Sequence, residues 1–161
     1  MHRKALFSPC QKYRYALWRE WDTGSGQVLF VGLNPSVANE QKDDPTIRRC
    51  MGFAQSWGYR RLCVVNLYAY RDKSPKVLFQ QKDPIGPEND QYLQQFISDS
   101  ERIIVAWGNH ALRSDRYLAV LKLIAKPWCL QINKSGQPAH PLYLKHDIQV
   151  KPYHYDPPHL Q

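Results

Sequence analysis

Four apolar runs divide the chain at intervals that suit strands alternating with helices. They cover residues 28–33, 62–66, 102–107 and 128–132, and each ends on polar or glycine positions. Between the first two, Asp44-Pro45-Thr46-Ile47 has the form of a helix start, an N-cap aspartate followed by proline at the first helical position. That helix is expected to run to Ser56 or Trp57 and to stop at Gly58. After a loop over 83–90, Tyr92, Leu93, Phe96 and Ile97 recur at helical spacing. A third helix is expected over 110–125, with Leu112, Leu118, Leu121 and Ile124 facing inward. Such alternation predicts an α/β fold, a three-layer sandwich around a four-stranded parallel sheet with right-handed crossovers.

The flanks follow different patterns. In Tyr13-Arg14-Tyr15-Ala16-Leu17-Trp18-Arg19-Glu20-Trp21 aromatic and basic positions alternate, and Thr23-Gly24-Ser25-Gly26 supplies turn residues. Residues 1–27 therefore read as an accessory strand pair laid against the sheet. From Lys145 onward the chain is rich in His, Tyr and Pro and is expected to form an irregular strap. Nothing marks a linker or repeat, so residues 1–161 are read as one domain.

Composition narrows the partners more than the fold. With 161 residues the chain has enough material for a substantial core. No run approaches the roughly 20 apolar residues that span a bilayer, and the N-terminus lacks the apolar segment of a signal peptide. A cytoplasmic protein that does not engage membranes is expected. Cys10, Cys50, Cys63 and Cys129 form no C-x-x-C pair, so neither a disulfide framework nor a metal site is indicated, and no cofactor is expected. The formal net charge of +8 favours polyanionic partners, nucleic acid or nucleotide, by counterion release.

The strand ends carry the candidate chemistry, because open parallel sheets hold ligands beyond the carboxyl ends of their strands. Asn34, in Gly32-Leu33-Asn34-Pro35-Ser36, is either a turn-forming residue or an amide that orients a water beside a reacting carbon. Gly32 would let a ligand approach the backbone. Asn66 either ties loops together or reads the carbonyl and N–H edge of a pyrimidine, with Tyr68 and Tyr70 as stacking surfaces or core. Gly108-Asn109-His110 opens a helix whose N–H groups can meet an anion, with helix capping as the plainer role for Asn109. A neutral His140 can donate a hydrogen bond to an oxygen that gains charge. Asp43 and Asp44 are alternative bases for a water, against a capping role for Asp44. Arg48, Arg49 and Lys134 are candidate phosphate contacts, and charged helix faces are also commonly just solvated.

Several separated blocks carry a family resemblance. Residues 43–50, Trp57-Gly58-Tyr59, Val65-Asn66-Leu67, Asp83-Pro84-Ile85-Gly86-Pro87, Ala106-Trp107-Gly108 and His140-Pro141-Leu142-Tyr143 together resemble domain of unknown function family 1643. More distantly, Gly32-Leu33-Asn34-Pro35, Val65-Asn66, Trp107-Gly108-Asn109-His110-Ala111 and His140-Pro141 resemble, in order, landmarks of the uracil-DNA glycosylase superfamily. That likeness implies a four-stranded parallel sheet, water positioning by Asn34, pyrimidine reading by Asn66 and stabilisation of the departing base by His140. The chain departs from that superfamily in continuing Leu142-Tyr143 where it usually has Ser-Pro, in its 43–50 block, and in lacking the spaced cysteines of iron–sulfur branches.

The leading expectation is an N-glycosidase acting on a pyrimidine or modified pyrimidine extruded from nucleic acid. Two alternatives stand beside it, a noncatalytic nucleic-acid or nucleotide reader and an enzyme of free nucleotides.

Overall fold

A computed structural model describes residues 1–155. In chain order it contains β1 (His2–Phe7), β2 (Arg14–Glu20), β3 (Gln27–Gly32), α1 (Pro45–Ser56), β4 (Arg61–Asn66), α2 (Pro75–Gln80) and α3 (Asn89–Asp99). Then follow β5 (Arg102–Val105), a 3-10 turn (Asn109–Arg113), α4 (Arg116–Leu121), β6 (Pro127–Cys129) and β7 (Lys151–Pro152).

The expected four-stranded parallel sheet is overturned. The strands form one seven-stranded mixed sheet in the order β1-β2-β4-β3-β5-β6-β7. Pairings β3 with β4, β3 with β5 and β5 with β6 are parallel, whereas β1 with β2, β2 with β4 and β6 with β7 are antiparallel. The N-terminal segment is thus not laid against the sheet but built into it: Leu17 lies opposite Val64 and Glu20 opposite Arg61. Apolar runs alone undercount these strands because the outer ones are short or exposed on much of their length, as in β1 and β7.

Side-chain alternation along the inner strands sorts the core into two layers. Val28 and Phe30 of β3, with Leu62 and Val64 of β4, face Ile47, Cys50, Phe53 and Ala54 of α1. Leu29, Val31, Cys63 and Val65 face the other way, onto Leu78, Leu93, Phe96, Tyr117 and Val120 from the remaining helices. Period two along a strand produces this division, because consecutive Cβ atoms point to opposite faces.

Helix α1 begins where its cap directs. The Asp44 carboxylate accepts from the Ile47 N–H at 2.8 Å, Pro45 occupies the first turn, and Gly58, at φ +84°, ends the segment in the left-handed region. The helix expected over 110–125 is instead broken. Ser114, with φ −151° and ψ 178°, separates the 3-10 turn from α4 and resets the helical phase, so Leu112 and Leu118 face solvent while Tyr117 and Val120 are buried.

The fourth apolar run forms a strand only to Cys129; the chain then turns at residues 133–137 and comes back, with an isolated bridge between Ile132 and Pro138. Part of the tail expected to be irregular rejoins the sheet as β7, and residues 156–161 of that expectation lie outside the described residues. Among the described residues no helix is long and apolar enough to cross a membrane.

Candidate functional site

A cleft of about 520 Å3 opens beyond the carboxyl ends of β3, β4 and β5. Its volume lies in the ordinary range for small-molecule sites. The chain passes from β3 to β4 on one side and then crosses to β5 on the other, so this is the point where strand order reverses and loops splay apart. Gly32, Asn34, Pro35, Asp44, Asn66, Gly108, Asn109, His110 and His140 all line it, which brings together most of the residues singled out from sequence.

Asn66 is the central feature. The residue is 3% exposed, and its Nδ2 has no hydrogen-bond partner among the described residues. A buried donor left unmade costs about 1–3 kcal/mol, a cost that a hydrogen-bond acceptor entering the cleft would relieve. Its backbone carbonyl, by contrast, is satisfied by Asn89 Nδ2 at 3.1 Å. Gly32 makes the arrangement possible in a way the sequence did not suggest. A Cβ on Gly32 would lie 2.7 Å from Asn66 Oδ1, so the missing side chain makes room for the neighbouring carboxamide rather than for a ligand. Gly32→Ala is therefore expected to displace the Asn66 side chain and weaken ligand binding without unfolding the protein; unchanged binding by titration calorimetry would refute that link.

Asn34 has the loop-forming role considered for it and also lines the cleft. Its Nδ2 donates to the carbonyls of Asp72 (2.8 Å), Pro35 (3.2 Å) and Tyr70 (3.3 Å), tying the loop after β3 to the loop after β4. Three carbonyl partners fix the amide orientation, since a flipped side chain would set oxygen against oxygen. Oδ1 is the end this leaves for the cleft.

His140 is held in one tautomer. The Leu142 N–H donates to its Nδ1 at 3.2 Å, so in the neutral ring the proton resides on Nε2. The residue is exposed at the surface of the cleft, yet the surrounding protein displaces enough bulk water to push its pKa below the ordinary 6.5, an effect that nearby Asp44 opposes. The chain ahead of it is anchored by Trp107 Nε1 donating to Gln137 Oε1 at 2.8 Å and by the Gly108 N–H donating to the Pro138 carbonyl at 2.9 Å. Gly108 has φ +77°, which favours glycine, and a Cβ there would touch the His140 Cβ at 3.6 Å.

Asp44 both caps α1 and lines the cleft. Asp43 does neither. Its carboxylate is bonded to Arg3 and to fully buried Arg19, each at 2.9 Å, outside the cleft. Burial disfavours its charge, but the hydrogen bonds from Arg19 and Arg3 outweigh that and hold its pKa below the usual carboxylate value. Arg19 also donates to the carbonyls of Asn39 and Lys42, so Asp43 and Arg19 together brace the loop that carries Asp44. As a candidate base, Asp43 is excluded by its place outside the cleft.

Other expectations need correction. Tyr68 is buried, packs edge-on against Phe79 at 5.3 Å and hydrogen-bonds Ser114, so it is core rather than a stacking surface. Tyr70 packs against Tyr13 and lies off the cleft. Asn109 is not a cap. Its Oδ1 accepts from Asn133 Nδ2 (3.0 Å) and Ser135 Oγ (2.6 Å), linking two loops at the cleft rim. The segment it opens is a five-residue 3-10 turn, too short for a helix dipole to hold an anion at its start. Arg48 and Arg49 line a neighbouring groove on the outer side of α1 with Leu142, Tyr143 and His146. Lys134 is exposed on the turn beyond β6 and does not reach the cleft.

Sequence reasoning missed Arg14. It stands at the start of β2, is 2% exposed and lines the cleft, donating from one terminal nitrogen to the Ala38 carbonyl at 3.0 Å. Burial pushes its pKa down to about 10, with Asp44 acting in the opposite sense. Lys73 and Asp72, from the loop after β4, also line the cleft. Nothing in an alternating aromatic and basic segment distinguishes Arg14 from Arg19; only the packing of β2 beside β4 places one in the cleft and the other under a loop.

Among the described residues no three His, Cys, Asp or Glu side chains gather as a metal ion would need, and Cys50, Cys63 and Cys129 are buried free thiols, Cys10 an exposed one. No curated protein and no solved structure matches the chain. The family model of DUF1643, a protein of unknown function, matches residues 14–142, and with that span covering most of its length the chain belongs to this family.

Proposed function

We propose that this cleft binds a pyrimidine base and that the protein hydrolyses its N-glycosidic bond, the base being presented from nucleic acid. The observation that carries the reading is the buried, unpartnered Asn66 amide in one cleft with a histidine whose Nε2–H is available. An amide offers an acceptor and donors in fixed geometry, which suits the carbonyl and ring N–H edge of a pyrimidine. The limited likeness of the strand-end loops to the uracil-DNA glycosylase superfamily points the same way, although the sheet differs from the four-stranded parallel one that likeness implied.

In this mechanism a water held by Asn34 Oδ1 attacks C1′ of the sugar as the bond from C1′ to the ring nitrogen breaks. The bonding pair leaves with the base and spreads onto its carbonyl oxygen. His140 Nε2–H donates a hydrogen bond to that oxygen, which stabilises charge that develops only as the bond breaks. Asp44 takes the proton from water, and the base anion is protonated by solvent. A neutral imidazole suffices for this role, because its task is to donate a hydrogen bond rather than a proton.

The test is incubation with oligonucleotides carrying uracil and modified pyrimidines, with mass spectrometry of freed base. Base release is expected, with a rate that is flat through neutral pH. The sign follows from His140: loss of bulk water around the ring lowers its pKa, so the neutral form dominates above 6.5 and the acid limb falls below that value. Protonation would set a ring N–H against the Leu142 N–H and break the loop contact. Absence of released base from every substrate would reject the hydrolase reading, and an acid limb centred above 6.5 would reject the role of His140.

A further inference from the structure

The geometry points to Arg14 as the anchor for a phosphate oxyanion on the cleft's ligand, an inference that rests on the cleft binding a nucleotide and names which part of it is held. Arg14 is almost wholly buried, and its Nε has no partner among the described residues. Its one side-chain hydrogen bond goes to the Ala38 carbonyl, and none of the ion pairs among those residues involves it. The other buried arginines are provided for differently: Arg19 is paired with Asp43, and Arg116 with Asp90. A guanidinium presents five donors in a rigid fork that matches phosphate, and a buried one with no carboxylate in direct contact is a structural expense that an incoming oxyanion relieves.

The surrounding groups favour this assignment. Asp44 and Asp72 line the same cleft, each with Oδ1 accepting from a backbone N–H, of Ile47 and of Ser74, and neither forms an ion pair with Arg14. Lys73 adds a second positive side chain at the exposed part of the lining. Asn66 Nδ2 supplies a further unpartnered donor. The cleft therefore offers donors in excess of acceptors at two places, a buried amide suited to a base and a buried guanidinium suited to a phosphate.

The experiment compares uridine, uridine 5′-monophosphate, a short uracil-containing oligonucleotide and inorganic phosphate by titration calorimetry on the full chain. The monophosphate is expected to bind about tenfold to a hundredfold more tightly than uridine, the increment of a charged hydrogen bond. In Arg14→Gln that increment disappears while uridine binding is retained. Equal affinity of uridine and its monophosphate, in a protein that binds both, overturns the assignment.

If Arg14→Gln fails to fold, Arg14→Lys identifies the Arg14 Nε–H signal by its loss from the nitrogen-15 spectrum. Titrating the wild type with inorganic phosphate must then move that signal, and a stationary signal overturns the proposal. A monophosphate that binds more tightly than the oligonucleotide assigns Arg14 to a terminal phosphate; the reverse order assigns it to a phosphodiester. Phosphate binding to Arg14 in a protein that releases no base would retain this inference while rejecting the hydrolase reading, so the two fail separately.

Discussion

His140→Ala is expected to slow base release by about two to three orders of magnitude while oligonucleotide affinity changes severalfold at most. The magnitude is that of removing one preorganised donor from a site where charge develops in the transition state. Ground-state binding is spared because the base carbonyl carries little extra charge before the bond breaks. Single-turnover rates and equilibrium binding, measured on the same oligonucleotide, separate the two effects. Equal losses in both would make His140 a binding contact. His140→Gln, which keeps a donor at a similar reach on a more flexible chain, is expected to recover part of the rate. The Leu142 N–H loses its acceptor in the alanine variant, so a thermal unfolding curve should accompany the kinetics.

Asn66→Leu is expected to act in opposite directions on stability and on function. Asn66 Nδ2 is buried without a partner among the described residues, and replacing such a group with an apolar side chain of similar volume removes its desolvation cost. A gain of about 1–2 kcal/mol follows, within the range of a single unsatisfied polar group. Base recognition should fall at least a hundredfold, because a site built to hydrogen-bond a ring edge discriminates strongly once that bond is gone. Thermal or urea unfolding reads the first effect and oligonucleotide binding the second. A destabilised Asn66→Leu protein would show that the amide serves the fold, and unchanged base binding would remove it from the site. This opposition of stability and function is what is expected where a fold keeps a donor unpaired for a ligand.

The site is partly legible in the sequence. Glycine and asparagine at the ends of apolar runs pointed to the cleft, and Asn34, Asn66 and His140 all line it. Their neighbours were harder. Asp43 and Asp44 are adjacent in sequence, yet one is drawn to Arg3 and Arg19 while the other caps α1 inside the cleft. Tyr68 follows Asn66 by two residues, and the ring is nevertheless claimed by Phe79 and Ser114. In each case the deciding partner comes from a distant segment, so no local pattern reports it.

Local physical chemistry, carried by the sequence alone, determined the elements whose signals are short-range. Helix α1 starts at an aspartate cap with proline behind it and stops at a glycine in the left-handed region, and the inner strands β3 and β4 follow from apolar residues at period two. Tertiary structure alone decided the number and direction of strands, because the edge strands β1 and β7 have weak patterns and gain their hydrogen bonds only from neighbours already in place. It also decided that Gly32 yields its space to Asn66 and that Arg14, not Arg19, meets the cleft. The physical reason is common to these cases: backbone conformation is set by residues a few positions apart, whereas the burial and pairing of a side chain are set by whatever the completed fold places beside it.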